Sequence, residues 1–328
     1  MKTLVLSMIS IAATVAAMTA CTSESDEIDD LTKDAPVEIK VSAGVGSIIT
    51  KASMEKWEAA GSKAFFCKAK DHATAADWTT ATPIYAKIAE DGSITFYSDE
   101  NRTTESKQYY NADATIKSWM IGCYLGDAVI TGGTNLTNNK ATFTITGQQD
   151  IMATAPSSGT KKTDENFSEF TFNHLLSNLS FQITPTNASE IEAVKAAFGD
   201  VTKIEVSEQP NSLDLTLGET VTLEKNATSG SETFNLTKNV TIGTNTAYGD
   251  IMVFPNSNIG TTASPIKIKV YTEKATNGID VNVKIGDGSL GLVAKTKYLV
   301  TLSFSTTDIQ ATAKIGKWES GSGSGEVK

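Results

Sequence analysis

Short runs of alternating apolar and polar residues, broken by clusters of Gly, Asn, Asp and Ser, constrain this chain more than any other feature. Val37-Glu38-Ile39-Lys40-Val41 alternates strictly, and Ala43 and Val45 extend the pattern. The same texture returns at residues 94–97, 141–145, 179–183, 213–217, 266–270 and 298–302, rich in Thr, Val, Ile, Phe and Tyr. A period of two puts one face of a strand in a core and the other in water, which is the pattern of antiparallel sandwich sheets. One short helix is expected. Ser189 with Glu192 makes a capping box, Ile191, Val194, Lys195 and Phe198 line one side, and Gly199 ends it. No internal repeat and no coiled-coil pattern stands out. The reading is all-β, two β-sandwich domains of ordinary size, residues 36–166 and 167–328, divided where polar residues accumulate between 156 and 169.

The first twenty residues have a different character. Lys2 precedes an apolar run from 4 to 17, and Met18-Thr19-Ala20-Cys21 closes it with small residues before a cysteine. The run is too short to cross a membrane and stay, so residues 1–20 read as a secretory signal. The cut site resembles a bacterial lipobox, in which Cys21 is acylated and the acyl chains, at about 0.8 kcal/mol per buried methylene, hold the protein to a membrane. Residues 21–35 are acidic and almost free of apolar side chains, as befits a solvated tether. The acidic run after Cys21 also resembles the signal that sends some lipoproteins to the outer face of the outer membrane, which implies a surface-exposed lipoprotein there; a mere spacer has the same composition.

Composition closes off several functions. The formal charge is -10, and loss of Lys2 with the signal makes it -11, which argues against nucleic acid as a partner. Arg102 is the sole arginine, leaving little material for bidentate phosphate recognition. Cys67 and Cys123 lie in apolar strand-like runs and read as two buried free thiols, with one disulfide as the alternative in an exported protein. Gly286-Asp287-Gly288-Ser289-Leu290-Gly291 has the G-x-G-x-x-G spacing, but a strand run follows where a dinucleotide site needs a helix, so a hairpin turn is expected. His174 has only His72 for company and no metal-ligand spacing, which suits a histidine held by hydrogen bonds at a strand turn. Asp150 has no assignable partner for acid–base work. No catalytic residue, metal site or cofactor is implied, and an enzyme is the poorest fit.

Several runs together resemble the fimbrillin family, the pilins of type V pili. Thr50-Lys51-Ala52, then Trp57, then Ala64-Phe65-Phe66 is similar to the family's start. Gln149-Asp150-Ile151-Met152-Ala153 resembles its aspartate-led mid-chain run. The most specific piece is the stretch from Phe170-Thr171-Phe172-Asn173-His174 to Leu179-Ser180-Phe181. Residues 292–302 resemble the family's late strand pair, and Trp318 its late tryptophan. The resemblance covers residues 36 to 318. It implies a transthyretin-like topology and a pilus subunit exported as a lipoprotein through Cys21, with cleavage at Lys51-Ala52 and loss of the first strand. Family members often carry arginine where Lys51 stands, which leaves the protease open; Lys56 and the loop at Arg102 are fallback sites.

The two ends of the chain carry the remaining argument. Val37, Ile39, Val41, Ala43 and Val45 share one face, as do Ile309, Ala311, Ala313 and Ile315 near the other end. Two segments of like alternation could fill one groove in turn, each gaining ladder bonds and buried side chains. The resemblance implies that the second is a donor strand and that the partners are other pilin subunits, in a homopolymer or with accessory subunits. An ordinary edge strand has the same alternation. A lipid-anchored or pilus-tip adhesin for a glycan or protein ligand on host or bacterial surfaces is the alternative function, and an extracellular glycan hydrolase a more distant one.

Overall fold

β-branched and aromatic side chains favour extended backbone, and they crowd the alternating runs. The computed structural model describes residues 35–46, 57 and 61–316, and the described residues from Pro36 onward belong to one compact unit. Cys21, Lys51 and Ala52 lie outside the described residues, as do Lys56 and Trp318.

The first strands are β1 (Ala43–Val45), β2 (Ser62–His72), β3 (Thr82–Ile88), β4 (Ile94–Tyr97) and β5 (Lys117–Tyr124). Next come β6 (Val129–Ile130), β7 (Lys140–Thr144), β8 (Met152–Ala153), β9 (Ser157–Gly159) and β10 (Phe170–His174). Then follow β11 (Ser177–Pro185), helix α1 (Ile191–Phe198), β12 (Val201–Gln209), β13 (Ser212–Thr216), β14 (Thr222–Lys225) and β15 (Glu232–Val240). The last are β16 (Thr246–Val253), β17 (Ile266–Thr272), β18 (Ile279–Val283), β19 (Lys297–Phe304) and β20 (Ile309–Ile315). The fold is all-β and multi-sheet.

Sheet A runs β1-β10-β8-β5-β2-β3-β4, with β9 beside β5. Sheet B is β16-β11-β19-β20, sheet C is β15-β12-β17-β18, and sheet D is β14-β13-β7-β6. Sheets B and C come wholly from the second span, and they touch along both edges, β16 against β15 and β20 against β18. Sheets A and D begin in the first span but are completed by β10 and by the β13–β14 hairpin. Strand pairing therefore joins residues 36–166 to residues 167–328. The polar run from 156 to 169 carries β9, a 3-10 turn at Thr163–Glu165 and the buried Phe167.

Alternation along β2 sorts two cores. Ala64 and Phe66 face a cluster that sheet A encloses, while Phe65, Cys67 and Ala69 face a larger one shared with the other sheets. Helix α1 forms as expected and buries Val194 and Phe198, the latter edge-on to Phe304 at 5.4 Å. Its entry differs from the capping box. A 3-10 turn at Ala188–Glu190 precedes it, and Asn187, not Ser189, supplies the capping oxygen, accepting from the Ser189 amide. Asn is as good an N-cap as Ser, and one turn earlier it was the available residue. Gly199 does end the helix, at φ 71°.

Candidate assembly site

The segment from Val37 to Gly46 does more than add a strand. On one side β1 pairs in parallel with β10, Ala43 to Phe170 and Val45 to Phe172. Phe170 donates to the Ser42 carbonyl at 2.8 Å, and Gly46 to the Phe172 carbonyl at 2.8 Å. On the other side Tyr110 donates to the Val37 carbonyl (3.0 Å) and Ile39 to that of Gln108 (2.7 Å). Ala43 donates to the Gly92 carbonyl (2.7 Å), and Ile94, the first residue of β4, to that of Val41 (3.2 Å). The segment thus stitches the β10 edge of sheet A to its β4 edge and closes the sheet on itself.

The side chains follow the pattern of the sequence. Ile39 and Ala43 are buried in the enclosed core, Val41 and Val45 are half-buried against it, and Val37 is exposed. The walls are aromatic. Phe66 meets Phe96, Phe170 and Phe172 edge-on, with centroids 5.2 to 6.0 Å apart. Gly122 makes this nesting feasible, since a Cβ there would lie 2.8 Å from the Phe66 ring. Tyr110 stacks on Phe167 and its hydroxyl accepts from the Phe167 amide, with burial raising the phenol's pKa. Gly92, at φ 84°, lets the turn before β4 approach the Ala43 carbonyl, which a Cβ would meet at 2.5 Å.

Trp57 is only a landmark in the sequence, and its position in the fold gives it a role. It is buried, lies edge-on to Phe172 (5.2 Å) and Tyr124 (5.9 Å), and its indole N–H donates to the Ala43 carbonyl at 2.9 Å. No spacing rule predicts that contact.

The C-terminal segment occupies a different setting. β20 pairs antiparallel with β19 along its whole length, Ile309 to Phe304 and Ile315 to Tyr298, at the edge of sheet B. Ile309 and Ala313 are buried, Ala311 is half-buried, and Ile315 is 59% exposed. On its other side it is bridged at one point to Ile285: Gly286 donates to the Ala313 carbonyl at 2.9 Å, and Ala313 donates to that of Lys284 at 3.4 Å.

The other singled-out residues have structural duties. His174 and Asp150 are buried together, with His174 Nδ1 2.9 Å from Asp150 Oδ1, so the histidine sits hydrogen-bonded at a strand end. Within the 286–291 run, residues 286–289 form a turn between bridged Ile285 and Leu290. Cys67 and Cys123 are free, buried thiols on neighbouring strands, and burial pushes Cys67 up to about 12. Arg102, the fallback processing site, is committed. Its guanidinium donates to the carbonyls of Ala86, Glu100 and Ala64 and lies over the rings of Phe65 and Tyr85. A protease cleft would have to pull it free of all three.

A many-stranded all-β protein whose N-terminal segment closes its first sheet is the class that fold and site define. Among solved structures, one of similar fold is a putative cell adhesion protein from Bacteroides uniformis, at 18% identity and TM-score 0.59 over 87% of this chain and 99% of that one. Another, from Bacteroides ovatus and also a putative cell adhesion protein, gives 15% identity and TM-score 0.54 over 87% and 99%. The tip fimbrial protein Mfa3 from Porphyromonas gingivalis, with a C-terminal truncation, superposes less closely, at 11% identity and TM-score 0.43 over 87% and 100%. No protein-family model and no curated protein matches the chain.

Proposed function

We propose that this protein is a structural subunit of a cell-surface fimbria, not an enzyme, exported as an outer-membrane lipoprotein precursor acylated at Cys21. Cleavage between Lys51 and Ala52 releases the segment that closes sheet A. The vacated groove then accepts residues 309–315 of a neighbouring subunit, carrying Ile309, Ala311, Ala313 and Ile315. One observation carries this reading. Residues 37–46 are bonded on both sides and line an aromatic core, so their loss opens the sheet and leaves two unpaired edges, β10 and β4. Such edges template pairing with another chain. The likeness of fold to cell adhesion proteins and the fimbrillin-like motifs support it. N-terminal sequencing of sheared fibres tests it: subunits should begin at Ala52, and fibres retaining residues 21–51 would refute the processing step. Radiolabelled fatty acid incorporated at wild-type level in a Cys21→Ala chain would refute the anchor.

A second reading, an adhesin, draws on a cleft of about 530 Å³ lined by Tyr85, Tyr97, Gln108, Asn135 and Lys70. Tyr85 is fixed there by Arg102 over its ring and by a 3.0 Å hydrogen bond to Thr134. Aromatic faces beside amides suit a sugar ring. Binding of the labelled protein to a glycan array, lost in Tyr97→Ala, would favour it; the absence of any binding would count against it.

A further inference from the structure

Residues 38–46 and 308–316 correspond at six of nine positions. Glu38-Ile39-Lys40-Val41-Ser42-Ala43-Gly44-Val45-Gly46 stands against Asp308-Ile309-Gln310-Ala311-Thr312-Ala313-Lys314-Ile315-Gly316. Ile, Ala and Gly recur unchanged at 39/309, 43/313 and 46/316, and an acid, a hydroxyl and a β-branched aliphatic are kept at 38/308, 42/312 and 45/315. Burial repeats as well. Over 39–43 and over 309–313 it runs buried, exposed, half-buried, exposed, buried. The two segments lie in different sheets, so a shared neighbourhood does not produce the match.

Building on the strand-exchange reading, we infer that β20 of a second copy enters the groove in the same chain direction as the departed segment, with Ala313 in the place of Ala43 and the register held by Trp57 and Glu169. Trp57 lies beyond the Lys51-Ala52 step and stays with the processed subunit. Its indole N–H loses the Ala43 carbonyl and takes that of Ala313. Glu169 lies where a Cβ at position 44 would be 2.9 Å from its Oε1. The incoming chain puts Lys314 there, and the flexible glutamate swings aside within reach of the ammonium. At the other end Lys107, now 3.2 Å from Glu38, receives Asp308. Gly316 arrives where Gly46 lies against the side chains of Asn173 and Thr171, and needs neither to shift, whereas a Cβ would meet Oδ1 of Asn173 at 2.7 Å.

Other registers fail physically. A slip of one residue turns Thr312 or Lys314 into the apolar core. A slip of two puts Ile315 or Ala311 in the site of Ala43, either overpacking it or moving Lys314 off Glu169. In its own subunit Ile315 is 59% exposed; in the groove it takes the half-buried place of Val45. The surface ion pairs are individually weak, so they set register and pairing rate more than affinity.

The test uses processed full-length subunit and the rate of fibre growth. Lys314→Glu and Glu169→Lys should each slow assembly several-fold, and the double exchange should restore it. Both positions are exposed in the monomer, and an unchanged melting temperature confirms that the variants fold. Trp57→Phe should slow assembly about fivefold, as expected for one lost hydrogen bond. Gly44 pairs with Thr171, so subunits carrying Thr171→Cys and Lys314→Cys should form an oxidised ladder in fibres. Fibres that grow at wild-type rate in both charge variants and yield no 171–314 crosslink would overturn the register. A chain lacking residues 307–328 separates the two levels: if it assembles normally, strand exchange itself falls, whereas if it cannot assemble while the register tests fail, only the register falls.

Discussion

The segment at residues 37–46 and strand β20 share a pattern of side chains but not a manner of attachment. The first is bonded along both sides and seals an enclosed core; the second is an edge strand, paired along its length with β19 and bridged on its other side only at Ala313, to Lys284 and Gly286. A strand gripped from two sides does not leave by thermal fluctuation, because its ladder bonds and apolar contacts must all break together. Its removal calls for a cut chain. A strand paired along one side and bridged at a single point on the other has fewer bonds to break before it can peel from its sheet and be regained. Under the proposed processing, the irreversible step belongs to the first and the reversible step to the second.

The largest way to break this comparison is to remove the closing segment. Cleaved monomer should lose on the order of 5 kcal/mol relative to the precursor in urea unfolding, from the burial of Ile39, Ala43 and the two half-buried valines and from the ladder bonds. An unchanged midpoint would mean that the segment merely decorates the sheet. Phe66→Ala, in the wall of the same core, should cost about 3–5 kcal/mol in the precursor, since Phe66 is fully buried among three other rings.

Deleting residues 307–328 should cost less, about 2–3 kcal/mol, because only Ile309 and Ala313 of β20 are well buried. The chain should remain folded and fail to form fibres. A monomer that unfolds outright on this deletion would place β20 among the structural necessities of sheet B and weaken its role as a donor.

Much of this was legible in the chain, and the exceptions share a cause. Alternation identified the runs that became β4, β7, β11, β13, β17 and β19, and it named Ile39 and Ala43 as inward-facing before any contact was known. Closure of sheet A was not legible, because it depends on backbone bonds from residue 39 to 108 and from 43 to 92, which no local pattern encodes. Nor was the loan of β13 and β14 to sheet D, since a hairpin does not announce which sheet it joins. Trp57 could have been suspected from its isolation, but its acceptor could not. The match between 38–46 and 308–316 rests on three identities in nine positions, too few to stand out as a repeat until the burial of each residue is laid beside it.

The smallest effect sharpens the comparison most locally. Cys67 sits on β2 next to Phe66 but faces the other core, and its thiol also lies 3.1 Å from the Asn138 carbonyl. Burial pushes its pKa from the ordinary 9.0 up to about 12, and Cys123 is raised likewise, again by burial first. The folded state therefore holds these protons more tightly than the unfolded chain does. Below pH 9 both states keep them and the thiols leave stability unaffected; between about 9 and 12 the unfolded chain gives them up first, and stability falls as pH rises. Urea midpoints across that window should decline, and less steeply in Cys67→Ala. At pH 8 a thiol reagent should leave both cysteines untouched in the precursor. They should stay untouched in the cleaved monomer too, because opening the groove exposes the Phe66 face of β2 and not the Cys67 face. Rapid labelling of Cys67 after cleavage would show that the opening spreads through the sheet, and the two cores would then have to be treated as one.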